Sequence, residues 1–317
     1  MDIGGKIDPN EILVPMTIEL AIRFSSYFDF SYFIQKSNGS HVEIEYASSN
    51  IRKTFEGYKE RGLQEIFLRE EDYEKVSGVL REVIQKKKDL KEVMGDLNHL
   101  YDNTRHLLLT IGVGGVSIAN AKDTNRMVMG KIGSISSIFE LLADFKGECS
   151  DEFFKYLILS FIGTSMIGTF DWQSDQIKHK MGMAAMLCDL TLTTEDYKQM
   201  SGHAYESWPA HCRDHPLKIA NVIRSCDPSM PHEVLQMIEQ HHELPTGEGF
   251  PNNLKFSQIP LLSAVFIVAL NFVDRYKKSN FDVGEKEEVV GVMYETFTKG
   301  NFRNAAMALF KTVGVSL

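Results

Sequence analysis

Long hydrophobic runs are missing from this 317-residue chain. Two charge-free apolar stretches, Tyr156–Phe170 and Ile259–Val273, reach 15 residues each. A membrane helix needs roughly 20, so both read as buried core helices, and no membrane partner is expected. An excess of positive charge is missing too. The net charge of −9 implies no broad basic face and argues against nucleic acid as a partner. A small nucleotide is not excluded, because its pocket needs only local cations. Cysteine is scarce: Cys149, Cys188, Cys212 and Cys226 include no Cys-x-x-Cys pair. A disulfide framework is therefore not expected, and a reducing cytoplasm fits. The first residues carry Asp2, Lys6 and Asp8 without an apolar stretch, so no signal peptide is expected. Internal repeats and low-complexity tracts are absent from the sequence.

What is present suffices for a packed core, with 43% hydrophobic residues. The length fits two domains, or one domain and a smaller accessory unit. Residues 11–70 read as a small α+β unit. Phe28–Ile34 and Val42–Tyr46 are rich in aromatic and β-branched residues, and Asn38-Gly39 between them is a hairpin-turn signal. Arg52–Glu60 reads as a helix and Glu65–Leu68 as a closing strand. Glu71 to about Leu109 reads as one long helix, with Lys86-Lys87-Lys88 and Lys91 on a solvated face. Such a helix can pass a signal, dock a protein partner or mediate homodimerisation. After Gly114-Gly115 the pattern is helical to the end, with punctuation at Gly147, Pro209, Pro228, Pro231, Pro251 and Gly300. The expectation is a mainly α protein. A small α+β domain (1–70) and a connecting helix (71–119) would precede a helical bundle (120–317).

The most specific stretch is His241-His242-Glu243-Leu244-Pro245-Thr246-Gly247-Glu248-Gly249-Phe250-Pro251. Two adjacent histidines end a predicted helix over 231–240, and a glycine-rich turn closed by proline follows. Neutral imidazole is the commonest protein metal ligand, and a rigid turn suits a metal site. The stretch resembles the signature of the HD-GYP family, cyclic di-GMP phosphodiesterases with a metal cluster in a helical bundle. That signature reads His-His-Glu-x-x-Asp-Gly-x-Gly-Tyr-Pro. Here Thr246 stands for the aspartate and Phe250 for the tyrosine, while Gly247, Gly249 and Pro251 are kept.

The resemblance extends over about residues 120–290. The family's Leu-His-Asp-Ile-Gly-Lys segment corresponds to Leu187-Cys188-Asp189-Leu190-Thr191-Leu192. The aspartate survives as Asp189. Cys188, in the histidine position, is either a thiolate ligand for a soft metal or a small buried core residue. Thr193-Thr194-Glu195-Asp196-Tyr197 resembles the start of the next family helix, which ends in His-Pro. His215-Pro216 matches that end better than His203, which makes Ala204–Asp214 an insertion and His203 and His211 surface or hinge histidines. A separate zinc site from His203, His211, Cys212 and His215 is the other reading, although its spacing fits no standard finger. The early-helix histidine of the family falls at Tyr156 or Leu157, and Glu152 sits where some members carry an extra carboxylate. The last family aspartate falls at Leu270, with Asn271 and Asp274 as candidates shifted in register.

By this resemblance, one of the family's two ion positions keeps only Asp189. The other keeps its whole set, Asp189, His215, His241 and His242, which suits one Fe, Mn or Zn ion. Leu192, Ala264 and Phe250 replace a lysine, an arginine and a tyrosine that serve phosphate chemistry. No residue is assigned a catalytic role. The expected function is a degenerate HD-GYP-type signalling protein with little or no cyclic di-GMP hydrolysis. It would act by binding the nucleotide, or by binding a protein partner through the Gly-Phe-Pro turn or the 71–109 helix. The alternatives are a one-metal phosphodiesterase and a helical scaffold that has lost metal altogether.

Overall fold

The structure, a computed structural model, describes residues 11–44, 50–200 and 207–315. The chain forms two compact units, Met1–Gly112 and Val113–Leu317. Among the described residues no helix is long and apolar enough to cross a membrane.

The first unit is built on a four-stranded antiparallel sheet of order β1-β4-β2-β3. β1 (Leu13–Thr17) runs into α1 (Ile18–Phe24). β2 (Phe33–Gln35) and β3 (His41–Glu43) form a hairpin, α2 (Ile51–Glu60) follows, and β4 (Glu65–Arg69) closes the sheet beside β1. The Asn-Gly signal is realised: Gly39 takes φ 82°, its amide donates to the Lys36 carbonyl at 2.8 Å, and Asn38 Oδ1 accepts from the Ser40 amide at 3.1 Å. β2 starts later than expected, at Phe33, because residues 28–32 form no regular structure. Glu45 and Tyr46, expected in the next strand, lie outside the described residues. β1 was not expected. Pro15 lies within it, which is tolerated because β1 is an edge strand.

The single helix expected over 71–109 is two helices, α3 (Glu70–Lys86) and α4 (Leu90–Thr110). Lys87 is extended, and Asp89 caps α4 by accepting from the Glu92 amide at 2.7 Å. Lys87 Nζ turns inward to Glu92 and Asp96, at 2.7 Å from each. Arg23 Nε meets the other oxygen of Asp96 at 2.7 Å. Asp96 is fully buried, and an isolated buried carboxylate is costly. Part of the lysine run therefore serves the core instead of a solvated face. α4 is also tied to the sheet: Asn103 Oδ1 accepts from the Thr17 amide at 2.9 Å, and its Nδ2 donates to Tyr73 Oη at 2.7 Å.

Every regular element described in the second unit is a helix, and the strand-type pairing there is the single bridge Thr246↔Lys255. The helices are α5 (Gly115–Ile132), α6 (Ile138–Phe145), α7 (Asp151–Ile167), α8 (Asp175–Leu187), α9 (Thr194–Met200), α10 (Ala210–Cys226), α11 (His232–Gln240), α12 (Leu261–Lys278), α13 (Lys286–Thr296) and α14 (Gly300–Val313). The two 15-residue apolar runs fall largely in α7 and α12. Those helices are buried nearly all round and pack on each other and on α14, as apolar composition on every face requires. α7 starts at Ser150, whose hydroxyl accepts from the Phe153 amide at 3.3 Å, with Asp151 and Glu152 at the positive end of the helix dipole. α9 starts with a reciprocal capping box: Thr193 Oγ1 accepts from the Asp196 amide, and Asp196 Oδ2 accepts from the Thr193 amide. Residues 210–214, expected to belong to an insertion, are the first turns of α10 and run unbroken into His215.

Candidate metal centre

The ligand atoms of Asp189, His215, His241 and His242 all lie within 4.8 Å of one another. Asp189 follows the last turn of α8, His215 sits inside α10, and His241 and His242 follow α11. His215 and His241 are fully buried, while Asp189 and His242 retain some exposure.

Local backbone chemistry fixes both buried rings. Pro216 lies within α10 and has no amide proton for the carbonyl four residues back, at Cys212. That carbonyl is taken instead by His215 Nδ1 at 2.6 Å. His241 stands at the end of α11, where carbonyls lack intrahelical partners, and its Nδ1 meets the Ile238 carbonyl at 2.6 Å. A carbonyl only accepts, so in each ring Nδ1 carries the proton, and a neutral ring presents a bare Nε2. The two Nε2 atoms face each other at 3.1 Å. Asp189 Oδ1 lies 3.3 Å from the first and 3.4 Å from the second.

The electrostatics favour lone pairs over protons here. Burial, reinforced by the neighbouring imidazoles, holds His242 well below the usual imidazole range, and burial also lowers His241. For Asp189, burial opposes the charge, but Lys155 and the two imidazoles hold its carboxyl well below the usual carboxylate range. Asp189 Oδ1 and His242 Nε2 are buried without a hydrogen-bond partner, and such atoms are uncommon in folded proteins. Three imidazoles and a carboxylate converging with unfilled lone pairs form a donor set that could hold a metal ion. Outer hydrogen bonds of the kind His215 and His241 make are those that orient histidine ligands.

The turn after the histidines is held from inside. Glu243 is fully buried, and its carboxylate accepts from the amides of Asn252 at 2.7 Å and Leu254 at 2.8 Å. A side chain on Gly249 would put Cβ 2.3 Å from the Leu244 nitrogen and 2.5 Å from Glu243 Cα, so only glycine fits. Gly247 takes φ 84°. The Phe250 amide donates to the His242 carbonyl at 3.1 Å, and the Phe250 ring stacks on the His242 ring with centroids 4.4 Å apart. Trp208 meets both rings edge-on. Phe250 is buried, so it contributes no surface to the turn. Thr246, Glu248, Asn252 and Asn253 are the exposed residues of this loop.

The other sequence candidates lie elsewhere. Cys188 is buried and outside the convergent set, its Sγ is directed to the Ala185 carbonyl, and burial pushes its thiol well up. Glu152 is outside the convergent set, and Asn271 Nδ2 donates to the Ile267 carbonyl at 3.0 Å. Leu157, Leu192, Ala264 and Leu270 are buried core residues. The Tyr156 hydroxyl donates to Asn125 Oδ1 at 3.0 Å. His203 lies outside the described residues. His211 and Cys212 do not join His215; they gather with Asp196, His211 Nε2 lying 2.6 Å from Asp196 Oδ1. That bond, with two from Thr193, holds the Asp196 carboxyl at about 2 against the effect of burial.

Lys155 gave no signal in the sequence. Its Nζ lies 3.0 Å from Asp189 Oδ2 and 3.2 Å from Asp274 Oδ1, and 5.7 Å from the centre of the Tyr197 ring. Burial opposes its charge, but the two aspartates hold its pKa well above the usual value. A lone lysine in a helix reads as ordinary surface charge, and only the packing of α7 beside α8 and α12 reveals it.

This bundle, with its histidine and aspartate cluster, has an HD-GYP-like fold. The chain is similar to Bd1817, an HDG"Y"P protein from Bdellovibrio bacteriovorus, with a TM-score of 0.56 over 96% of this chain and 100% of that one, at 13% sequence identity. No protein-family model matches the chain, and no curated protein matches it in sequence.

Proposed function

We propose that the protein is a degenerate HD-GYP-type signalling protein that holds one Fe, Mn or Zn ion on Asp189, His215, His241 and His242 and turns over cyclic di-GMP slowly or not at all. The observation that carries this reading is the contrast within one site. Four ligands converge with their Nε2 and Oδ1 lone pairs exposed to one another. The positions at which the family resemblance implies a lysine, an arginine and a tyrosine for the phosphate are here Leu192, Ala264 and Phe250, all buried.

A divalent ion held there would act as a Lewis acid toward a phosphoryl oxygen. Whether hydrolysis proceeds then depends on the chain's own residues. Asp189 would neutralise part of such an ion's charge, and the Cys212 and Ile238 carbonyls hold the tautomers of His215 and His241. Phe250 and Trp208 wall His242 with aromatic rings that carry no group acidic enough to protonate a leaving oxygen. None of these groups is placed to protonate a leaving oxygen or to neutralise a second phosphate oxygen, and each such contribution is commonly worth orders of magnitude in rate. Binding of a cyclic dinucleotide remains compatible with the site, and so does signalling through a protein partner at the exposed loop residues or α3–α4. The test is a paired binding and hydrolysis assay with metal-loaded protein and cyclic di-GMP. Saturable binding, or none, with turnover far below 1 per second fits the proposal. Turnover of about 1 per second or more, within the ordinary enzyme range, and abolished in His241→Ala, would establish the one-metal phosphodiesterase instead.

A further inference from the structure

We propose that Lys155 is a built-in cation that limits this centre to a single divalent ion. The inference rests on the reading of Asp189, His215, His241 and His242 as metal ligands. It adds a claim about number that those four residues do not make by themselves.

Asp189 divides its two oxygens. Oδ1 faces His215 and His241 at 3.3 and 3.4 Å, while Oδ2 takes the Lys155 ammonium at 3.0 Å. Asp274, from a different helix, brings Oδ1 to 3.2 Å from the same ammonium. Two carboxylates converging from separate helices on one point form an arrangement suited to a divalent cation. Here the point is filled by a nitrogen attached to the chain. The Lys155 side chain is only 19% exposed, and the ring of Tyr197 lies 5.7 Å away.

The geometry has two consequences. A second divalent ion at the Asp189–Asp274 pair would have to displace the ammonium, which would remain beside it as a repelling charge. Lys155 is also engaged by two carboxylates, so it is not a free cation for a phosphate. Its effect is on the ion count and charge of the centre, and it is a positioning residue for Asp189.

Titration of the 317-residue chain with Mn(II), read by electron paramagnetic resonance and by bound-metal count, tests this. Wild type is expected to saturate at one ion with the spectrum of an isolated Mn(II). Lys155→Met, of similar length without charge, is expected to rise from one ion to two with a spin-coupled spectrum. Lys155→Arg, which keeps the charge, stays at one. Circular dichroism establishes that each variant is folded. Wild type that takes two coupled ions overturns the proposal whatever the variants do. A folded Lys155→Met that stays at one also overturns it, while leaving the four-ligand reading intact. Wild type and variants that all bind no Mn(II) would instead overturn the metal reading itself, and this inference with it.

Discussion

His215 and His241 point their Nε2 atoms at each other across 3.1 Å, with both ring protons held on the far side by main-chain carbonyls. Two acceptors at that separation repel unless a proton or a metal ion lies with them. Burial disfavours the protonated state of His241, which leaves the metal as the better partner. Removing it should loosen the fold. A ligand present at 100 times its Kd stabilises by about 2.7 kcal/mol. Chelation is therefore expected to lower the melting temperature of metal-loaded protein by several degrees, and re-addition of metal should restore it. An unchanged melting curve with chelator would count against the site.

Pro216 offers a test in which stability and function move apart. Pro216→Ala supplies an amide proton to the Cys212 carbonyl that His215 Nδ1 now uses. An interior proline costs a helix about 3 kcal/mol in general, so the variant is expected to be as stable as wild type or more so. Its metal affinity should nevertheless fall 10- to 100-fold, the usual effect of losing an outer hydrogen bond to a histidine ligand. Melting curves with metal-binding isotherms check both halves, and unchanged affinity would show that the carbonyl does not orient the ring.

Gly249→Ala is expected to be severe. The added Cβ meets the main chain of Glu243 and Leu244 at 2.3–2.6 Å, and backbone cannot swing away as a side-chain tip can. A loss of about 1–3 kcal/mol is expected from overpacking, together with weakened metal binding, because the turn carries His242. Gly291→Ala, with open space around it, is the matched control. Equal melting temperatures for the two variants would refute the argument.

The pH dependence of the metal-free protein has a definite sign. Burial holds His241 and His242 below the usual imidazole range, whereas in the unfolded chain they titrate near 6.5. Between their folded values and about 6.5 the unfolded chain binds more protons, so stability rises with pH there and levels off above. Melting temperature is expected to climb from pH 5 to pH 7, and to climb less in His242→Phe. Glu243 is pushed up by burial and acts in the opposite direction, but it is common to both proteins and cancels in the comparison. Identical slopes would contradict the assignment.

Much of the site was legible because its signals are local. His241 and His242 are adjacent, His215 is marked by Pro216, and Gly249 is needed where two stretches of main chain touch. The α7 and α12 cores were legible from unbroken apolar runs. Lys155 was not, and Asp274 was read only as a register-shifted candidate, since their meeting with Asp189 depends on how α7, α8 and α12 pack. The break at Lys87–Asp89 carries no glycine or proline, and its one local sign is Asp89 three residues before Glu92. β1 was hidden by Pro15, which argues against a strand until the strand is known to lie at an edge.

The central claim is that Asp189, His215, His241 and His242 together hold one metal ion. Elemental analysis of protein purified without added metal, beside His215→Ala and His241→Ala prepared in parallel, tests it most directly. The account predicts about one equivalent of Fe, Mn or Zn per wild-type chain and a small fraction of that in either variant. Metal-free wild type that also fails to take up ion on reconstitution, or equal metal content in all three proteins, would contradict it.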